Sequence, residues 1–153
     1  MKQQEISVFA KSRASAADVY ALLHDGASWP EWSPIDSFEL TKEGCDGGES
    51  LGARRLFKTG LVRSHEEIVA LEPGRRFGYI LLSGLPLRGY QANVDLEQGP
   101  DGTLIHWHSS FEPVIPGTGA FYRMVLGRFI QRCAGGLAAY AERTARLLPA
   151  SCA

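Results

Sequence analysis

Cysteine is scarce in this sequence and poorly placed for cross-linking: Cys45, Cys133 and Cys152 are odd in number, far apart and free of any C-x-x-C spacing. That pattern supports neither a disulfide framework nor a zinc site, and it fits a reducing compartment. An excess of charge is missing as well. Sixteen Lys and Arg against seventeen Asp and Glu leave a formal net charge of −1, which offers no electrostatic footprint for nucleic acid or an anionic membrane surface. No apolar run approaches the roughly eighteen residues of a membrane span, and the opening Met-Lys-Gln-Gln-Glu-Ile lacks the apolar centre of a signal peptide. Fingerprints of phosphate loops, dinucleotide sites and Ser-His-Asp chemistry are absent, which argues against nucleotide-dependent or covalent serine catalysis. The expectations are a cytoplasmic protein with no nucleic-acid partner, no integral membrane association and no cofactor.

What is present is enough apolar material for one core: 44% hydrophobic residues in a chain of 153, a size at which one domain stands without metals or disulfides. No internal repeat, low-complexity tract or linker divides it. A single domain over residues 1–148 is expected, with 149–153 as a frayed tail after Pro149.

Residues 4–12 alternate, with Ile6, Val8 and Ala10 opposite Ser7, Phe9 and Lys11, as a strand does. Ser15-Ala16-Ala17-Asp18 then forms a capping-box variant that opens a short helix with Val19, Leu22 and Leu23 on its apolar face, ending near Asp25-Gly26. Trp29-Pro30-Glu31-Trp32-Ser33-Pro34 holds one proline where a helix can start and another where it must stop, so a single turn carrying two indoles follows. Strand-like segments recur near 35–43, 50–58, 61–71, 76–83, 88–97 and 103–112. Turn-forming clusters such as Gly44-Cys45-Asp46-Gly47-Gly48 and Glu72-Pro73-Gly74-Arg75 separate them. Such short links make an antiparallel meander. From about Gly119 to Leu148 the period changes. Tyr122, Val125, Phe129, Cys133, Leu137, Tyr140, Thr144 and Leu147 recur every three or four residues, predicting one helix of roughly 40 Å.

This order of elements resembles the START and birch-pollen-allergen superfamily, also called SRPBCC, and within it the polyketide cyclase/dehydrase and lipid transport branch. The resemblance covers nearly the whole chain. It is carried by Val19-Tyr20-Ala21-Leu22-Leu23 followed by Trp29-Pro30-Glu31-Trp32, by Glu67-Ile68-Val69-Ala70-Leu71-Glu72-Pro73-Gly74-Arg75-Arg76-Phe77, by Gly102-Thr103-Leu104-Ile105-His106-Trp107, and by Phe111-Glu112-Pro113 running into Ile115-Pro116-Gly117. It implies an α+β helix-grip fold: a curved antiparallel seven-stranded sheet wrapped around the long C-terminal helix, with two short helices after the first strand. It implies a cavity but no particular reaction, since relatives bind lipids, hormones or polyketides and some close polyketide chains. A bent sheet cannot lie flush on a straight helix, so the space between must hold side chains or a guest, in a mostly apolar pocket with a few orienting polar groups.

Alternation assigns the inward residues. On residues 103–112 these are Ile105, Trp107, Ser109 and Phe111, leaving His106 and His108 on the outer, solvated face with no third metal ligand apparent; no metal site is expected. On the two preceding strands they are Phe77, Tyr79 and Leu81, and Tyr90, Ala92, Val94 and Leu96. Tyr79, Tyr90 and Trp107 thus converge, either on a ligand or simply as core aromatics. In residues 61–71 the register is open: Arg63, His65 and Glu67 share a face with Val69 and Leu71 unless a bulge intervenes. An inward His65 would be a general acid or base, with Tyr79 and Tyr90 as the other catalytic candidates; an outward one belongs to a solvated charged stretch with Glu66 and Glu67. Trp29 and Trp32 are expected at the cavity mouth, facing a loop at 113–119 that serves as gate or rigid connector. Tyr122, Val125 and Phe129 complete the expected lining. Arg123, Arg128 and Arg132 are expected to be solvated, although an inward arginine could hold a ligand carboxylate. Gly135-Gly136 weakens the helix and so requires a packing reason.

The leading functional reading is binding of a hydrophobic small molecule, such as a lipid, polyketide or aromatic metabolite. A cofactor-independent polyketide cyclase or aromatase using the same cavity is the alternative. A third reading is a protein-partner-binding domain that uses its long helix or a sheet edge, favoured by apolar Leu126 and Ile130 on the helix's outer face, and a homodimer stands among the partner expectations.

Overall fold

Alternating apolar and polar side chains drive seven segments into strands, and these form one antiparallel sheet in the computed structural model, which describes residues 2–147. The order is β1 (Gln4–Ser12), α1 (Ala16–His24), a 3-10 turn (Gly26–Ser28), α2 (Trp29–Trp32), β2 (Ser37–Lys42), β3 (Arg54–Thr59), β4 (Val62–Glu72), β5 (Arg76–Ser83), β6 (Leu87–Gly99), β7 (Gly102–Pro113) and α3 (Gly119–Leu147). Across the sheet the strands run β1-β7-β6-β5-β4-β3-β2. Successive hairpins build β2 to β7, and β1 closes onto β7 from the other end of the sequence. This is the helix-grip fold. The tail at 149–153, Leu148 and the side chain of Leu147 lie outside the described residues. Among those described, no helix is long and apolar enough to cross a membrane.

Local chemistry accounts for the element ends. The Ser15 hydroxyl accepts from the Asp18 N–H at 3.2 Å and caps α1. Gly60 and Gly74 turn β3 into β4 and β4 into β5 at φ of 59° and 72°, in the left-handed region where a Cβ is disfavoured. β3 begins later than the alternation suggested because residues 50–53 form a turn, tied by Ala53 N–H to Ser50 O at 3.0 Å.

The phase of α3 differs from the expected stripe. Its buried residues are Ile130, Cys133, Ala134, Leu137, Ala138 and Ala141, while Leu126 is half-buried against the core. Val125, expected inside, is 43% exposed, and Ile130, expected outside, is 2% exposed. The reason is proximity. Three alanines face inward because the helix lies close to its neighbours, and a reading weighted to bulky residues places the face about one position off. Ser12 Oγ donates to Ala138 O at 2.8 Å, fastening β1 to the helix. A Cβ on Gly136 would stand 1.8 Å from the Trp32 carbonyl oxygen, whereas one on Gly135 would meet nothing. The glycine pair therefore has one working member, and the close approach it permits is to α2 rather than to the sheet.

Candidate functional site

The inward set read from alternation is found inside. Phe77, Tyr79, Tyr90, Ala92, Val94, Ile105, Trp107 and Phe111 are buried, and Leu81 is half-buried. Rings fill the space the bent sheet leaves. Trp29 lies 4.8 Å from Trp32, 4.9 Å from Phe57 and 5.6 Å edge-on from Trp107, between ring centroids. Tyr79 lies 6.4 Å from Tyr90, which stacks 6.1 Å from Phe111. These separations fit attractive tilted and offset pairs. Each indole N–H has a partner: Trp107 Nε1 donates to Tyr79 Oη at 3.2 Å, Trp29 Nε1 to Leu23 O at 3.1 Å and Trp32 Nε1 to Ser28 Oγ at 3.0 Å. Tyr79, Tyr90 and Trp107 do converge.

Two charged residues join them that the sequence reading did not place there. Arg55 on β3 and Glu66 on β4 are cross-strand partners, and both turn inward. Arg55 is 1% exposed. Its guanidinium lies about 5 Å from the rings of Trp29, Phe57 and Phe77, and its Nη1 donates to Leu23 O and to Glu49 Oε1, each at 3.2 Å. Cation–π attraction and the Glu49 pair offset part of the cost of removing this charge from water. Burial still lowers its pKa, against the raising influence of Glu49 and Glu66.

Glu66 Oε1 is sealed from solvent without a hydrogen-bond partner, and so are Arg55 Nη2 and Ser109 Oγ. Burial raises the Glu66 carboxyl to about 8, with Arg55 pulling the other way, so the acid is largely protonated at neutral pH. The Tyr79 and Tyr90 hydroxyls are also pushed up, first by burial and further by Glu66 nearby. Ser109 and Tyr79 lie near enough to Tyr90 to offset part of its shift, although Ser109 Oγ completes no hydrogen bond. A stripe of Arg55, Glu66, Tyr79, Tyr90 and Ser109 therefore runs across the sheet inside an aromatic interior.

Several expected positions are corrected. His65 faces outward, its Nε2 2.7 Å from Thr41 Oγ1 at the surface, and has no place in the interior. Against β5 the register shifts twice, skipping Leu82 of β5 where His65 gives way to Glu66 and skipping Val69 of β4 between Ile68 and Ala70. The first lies on β5 and leaves β4 alternating, so Glu66 shares the inward face of Ile68, overturning the solvated reading of that residue. The second leaves Ile68 buried and Val69 45% exposed. Trp29 and Trp32 are interior residues, not rim residues. Trp32 packs at Gly136, about 26 Å along α3 from Gly119 at 1.5 Å per residue, too far to face the 113–119 loop across a mouth. Tyr122 and Phe129 are half-buried.

The sheet has one apolar end. Connectivity places the β3–β4 and β5–β6 turns and the β7–α3 loop together there, and Leu61, Leu82, Val114, Ile115, Phe121, Met124 and Val125 are exposed. The Val114 N–H donates to Pro86 O at 3.1 Å and ties two of these loops.

On the outer face, His106 and His108 are half-buried beside a third group, Asp95, directly across from His106 on β6. His108 Nε2 lies 2.7 Å from Asp95 Oδ2, and Arg76 Nη2 donates to the same oxygen at 3.1 Å. Burial works against the Asp95 charge, but hydrogen bonds from Arg76 and His108 hold its pKa below the usual value. Burial and the neighbouring His108 lower that of His106.

A family model described as polyketide cyclase / dehydrase and lipid transport matches residues 3–142. A START superfamily protein from Mycobacterium smegmatis superposes with a TM-score of 0.78 at 18% identity, covering 92% of this chain and 98% of that one. A solution structure from Thermobifida fusca gives 0.73 at 26% identity, with 94% of each chain covered. The di-domain ARO/CYC StfQ of the steffimycin biosynthetic pathway gives 0.73 at 16% identity, over 94% of this chain and 52% of its own. No curated protein matches the sequence significantly.

Proposed function

The chain belongs to the polyketide cyclase/dehydrase and lipid transport family, and from that premise we propose that it binds a hydrophobic small molecule between the sheet and α3. Lipids, polyketides and other aromatic metabolites are the ligand classes. The observation that carries this reading is the unpartnered polar stripe in an apolar interior. Buried polar atoms are nearly always hydrogen-bonded, and Glu66 Oε1 and Ser109 Oγ are not. A guest bearing a hydroxyl or carbonyl at one end would satisfy them while its apolar body replaced ring contacts, the usual composition of a small-molecule pocket. Entry lies at the apolar end, where release of the Val114–Pro86 hydrogen bond opens the β7–α3 loop past Tyr122 and Phe129.

The test is titration with a neutral apolar dye such as Nile red, followed by dye emission and by quenching of indole fluorescence. Saturable one-to-one binding that is weakened in Trp107→Ala, with the variant still folded, is expected. A folded wild-type protein that shows no saturable binding would overturn the proposal.

One observation favours a second reading, a cofactor-independent cyclase or dehydratase. Glu66 is a carboxylic acid kept protonated to about pH 8 beside two tyrosine hydroxyls. Such an acid can give a proton to a departing hydroxyl at neutral pH, as aldol closure and dehydration of a poly-ketone require.

A further inference from the structure

We propose that Asp95, His106 and His108, on the face of the sheet turned away from α3, form a binding site for a divalent transition-metal ion of the zinc class. The proposal concerns a surface separate from the interior stripe and does not depend on any ligand bound there.

The geometry comes from β-sheet register. His106 and His108 are two apart on β7 and point to the same side, and Asp95 stands opposite His106 on β6. One donor atom from each residue lies within 4.8 Å of the other two. Zinc bonds to imidazole nitrogen and carboxylate oxygen are roughly 2.0–2.2 Å, so tetrahedral donors sit about 3.3 Å apart. Rotation about side-chain torsions closes the remaining gap. Two imidazoles and one carboxylate are a three-ligand set of the kind that leaves a fourth position open. The position opens onto a polar groove of about 360 Å³ lined in part by Glu5, Ser7, Gln91 and Asn93, which has room and partners for a coordinating water.

The surroundings hold the donors in place. The Phe9 ring stacks on His106 with centroids 4.2 Å apart and planes 4° from parallel, and Ser7 Oγ is 2.8 Å from His106 Nε2. His106 and His108 stack at 4.5 Å. Arg76 grips both Asp95 oxygens. A metal on Oδ2 would displace one arm of that fork and leave Oδ1 to Arg76, in the outer-shell arrangement that orients ligating carboxylates. The other two histidines are engaged elsewhere, His24 with Glu49 O and His65 with Thr41. Such an ion would bridge β6 and β7 on the convex side, outside the ligand interior.

The experiment uses tag-free protein carrying Cys45→Ser and Cys152→Ser, which remove the exposed thiol found among the described residues and the thiol of the tail as competing ligands. Titration with Co²⁺ is followed by visible d–d absorption, and Zn²⁺ is then used to displace it. One equivalent of Co²⁺ with tetrahedral or five-coordinate bands is expected, lost on Zn²⁺ addition. His106→Ala, His108→Ala and Asp95→Asn should each weaken binding at least tenfold while circular dichroism stays unchanged. Zn²⁺ should also raise the thermal midpoint of the parent and not of His106→Ala, because a ligand specific to the folded state stabilises it. Absence of d–d bands at millimolar Co²⁺ would overturn the proposal, and so would binding that survives undiminished in all three variants.

Discussion

Arg55 and Glu66 face each other across β3 and β4, both turned into the protein, yet neither a hydrogen bond nor a salt bridge joins them among the described residues. Arg55 is instead engaged by Glu49 and the Leu23 carbonyl, which leaves its Nη2 and the Glu66 Oε1 unpartnered. A buried carboxyl denied its obvious cation answers by keeping its proton. The interior is thereby supplied with a neutral hydrogen-bonding acid.

Stability should fall with rising pH because of Glu66. Its folded pKa, about 8, lies above the ordinary 4.5, so the folded state holds the proton more tightly than the unfolded chain does. The stabilising contribution is complete below about pH 4.5 and is lost as pH rises towards and through about 8. Urea unfolding from pH 4.5 to 8.5 should show wild type losing stability relative to Glu66→Gln, whose neutral amide does not titrate. Parallel pH dependence in the two proteins would place Glu66 in contact with water.

Much of this architecture is legible from alternation. The inward residues of β5, β6 and β7 follow strict period two, and Tyr79, Tyr90 and Trp107 meet as that pattern requires. Glu66 was hidden by its charge. β4 pairs with β3 without a shift and alternation puts Glu66 on the face of buried Ile68, yet a carboxyl inside a run reading Arg63-Ser64-His65-Glu66-Glu67 weighs against burial. Arg55 escaped for the same reason. Its strand alternates regularly, with Phe57 on the same inward face, but charge weighs against burial in any reading made without knowledge of Glu49 and the surrounding rings. Asp95 could not be assigned to the two histidines because cross-strand neighbours are set by register, not by sequence separation.

The glycine pair in α3 gives a contrast within one helical turn. A Cβ at Gly136 would overlap the Trp32 carbonyl, a backbone atom that cannot swing aside, whereas the space beside Gly135 is open. Gly136→Ala should destabilise by about 1–3 kcal/mol through overpacking. Gly135→Ala should instead stabilise, by up to about 1 kcal/mol, from helix propensity alone. Thermal or urea denaturation of the two variants decides it, and equal effects of the same sign would mean that α3 does not approach α2 as closely as described.

Carrier and cyclase make different demands on the same polar groups. A carrier uses Tyr79, Tyr90 and Glu66 only to orient its guest, so Tyr79→Phe, Tyr90→Phe and Glu66→Gln should each weaken ligand binding by about 0.5–1.5 kcal/mol, the usual worth of one hydrogen bond. A cyclase uses them to move protons. Removing the acid would then lower turnover by roughly 10²–10⁴-fold with little change in affinity. The measurement is paired: dye displacement by a panel of neutral poly-ketone mimics, and product formation from the same compounds, for wild type and each variant. His65→Ala serves as the control, since its side chain hydrogen-bonds with Thr41 at the surface and should alter neither quantity. The carrier pattern is expected, because Glu66 supplies an acid while no histidine is buried among the described residues to act as the matching base and the Glu49 carboxylate is taken up by Arg55 and the Gly26 N–H. Product formed by wild type and lost in Glu66→Gln, with affinity retained, would instead assign the chemistry of aldol closure or dehydration to this interior.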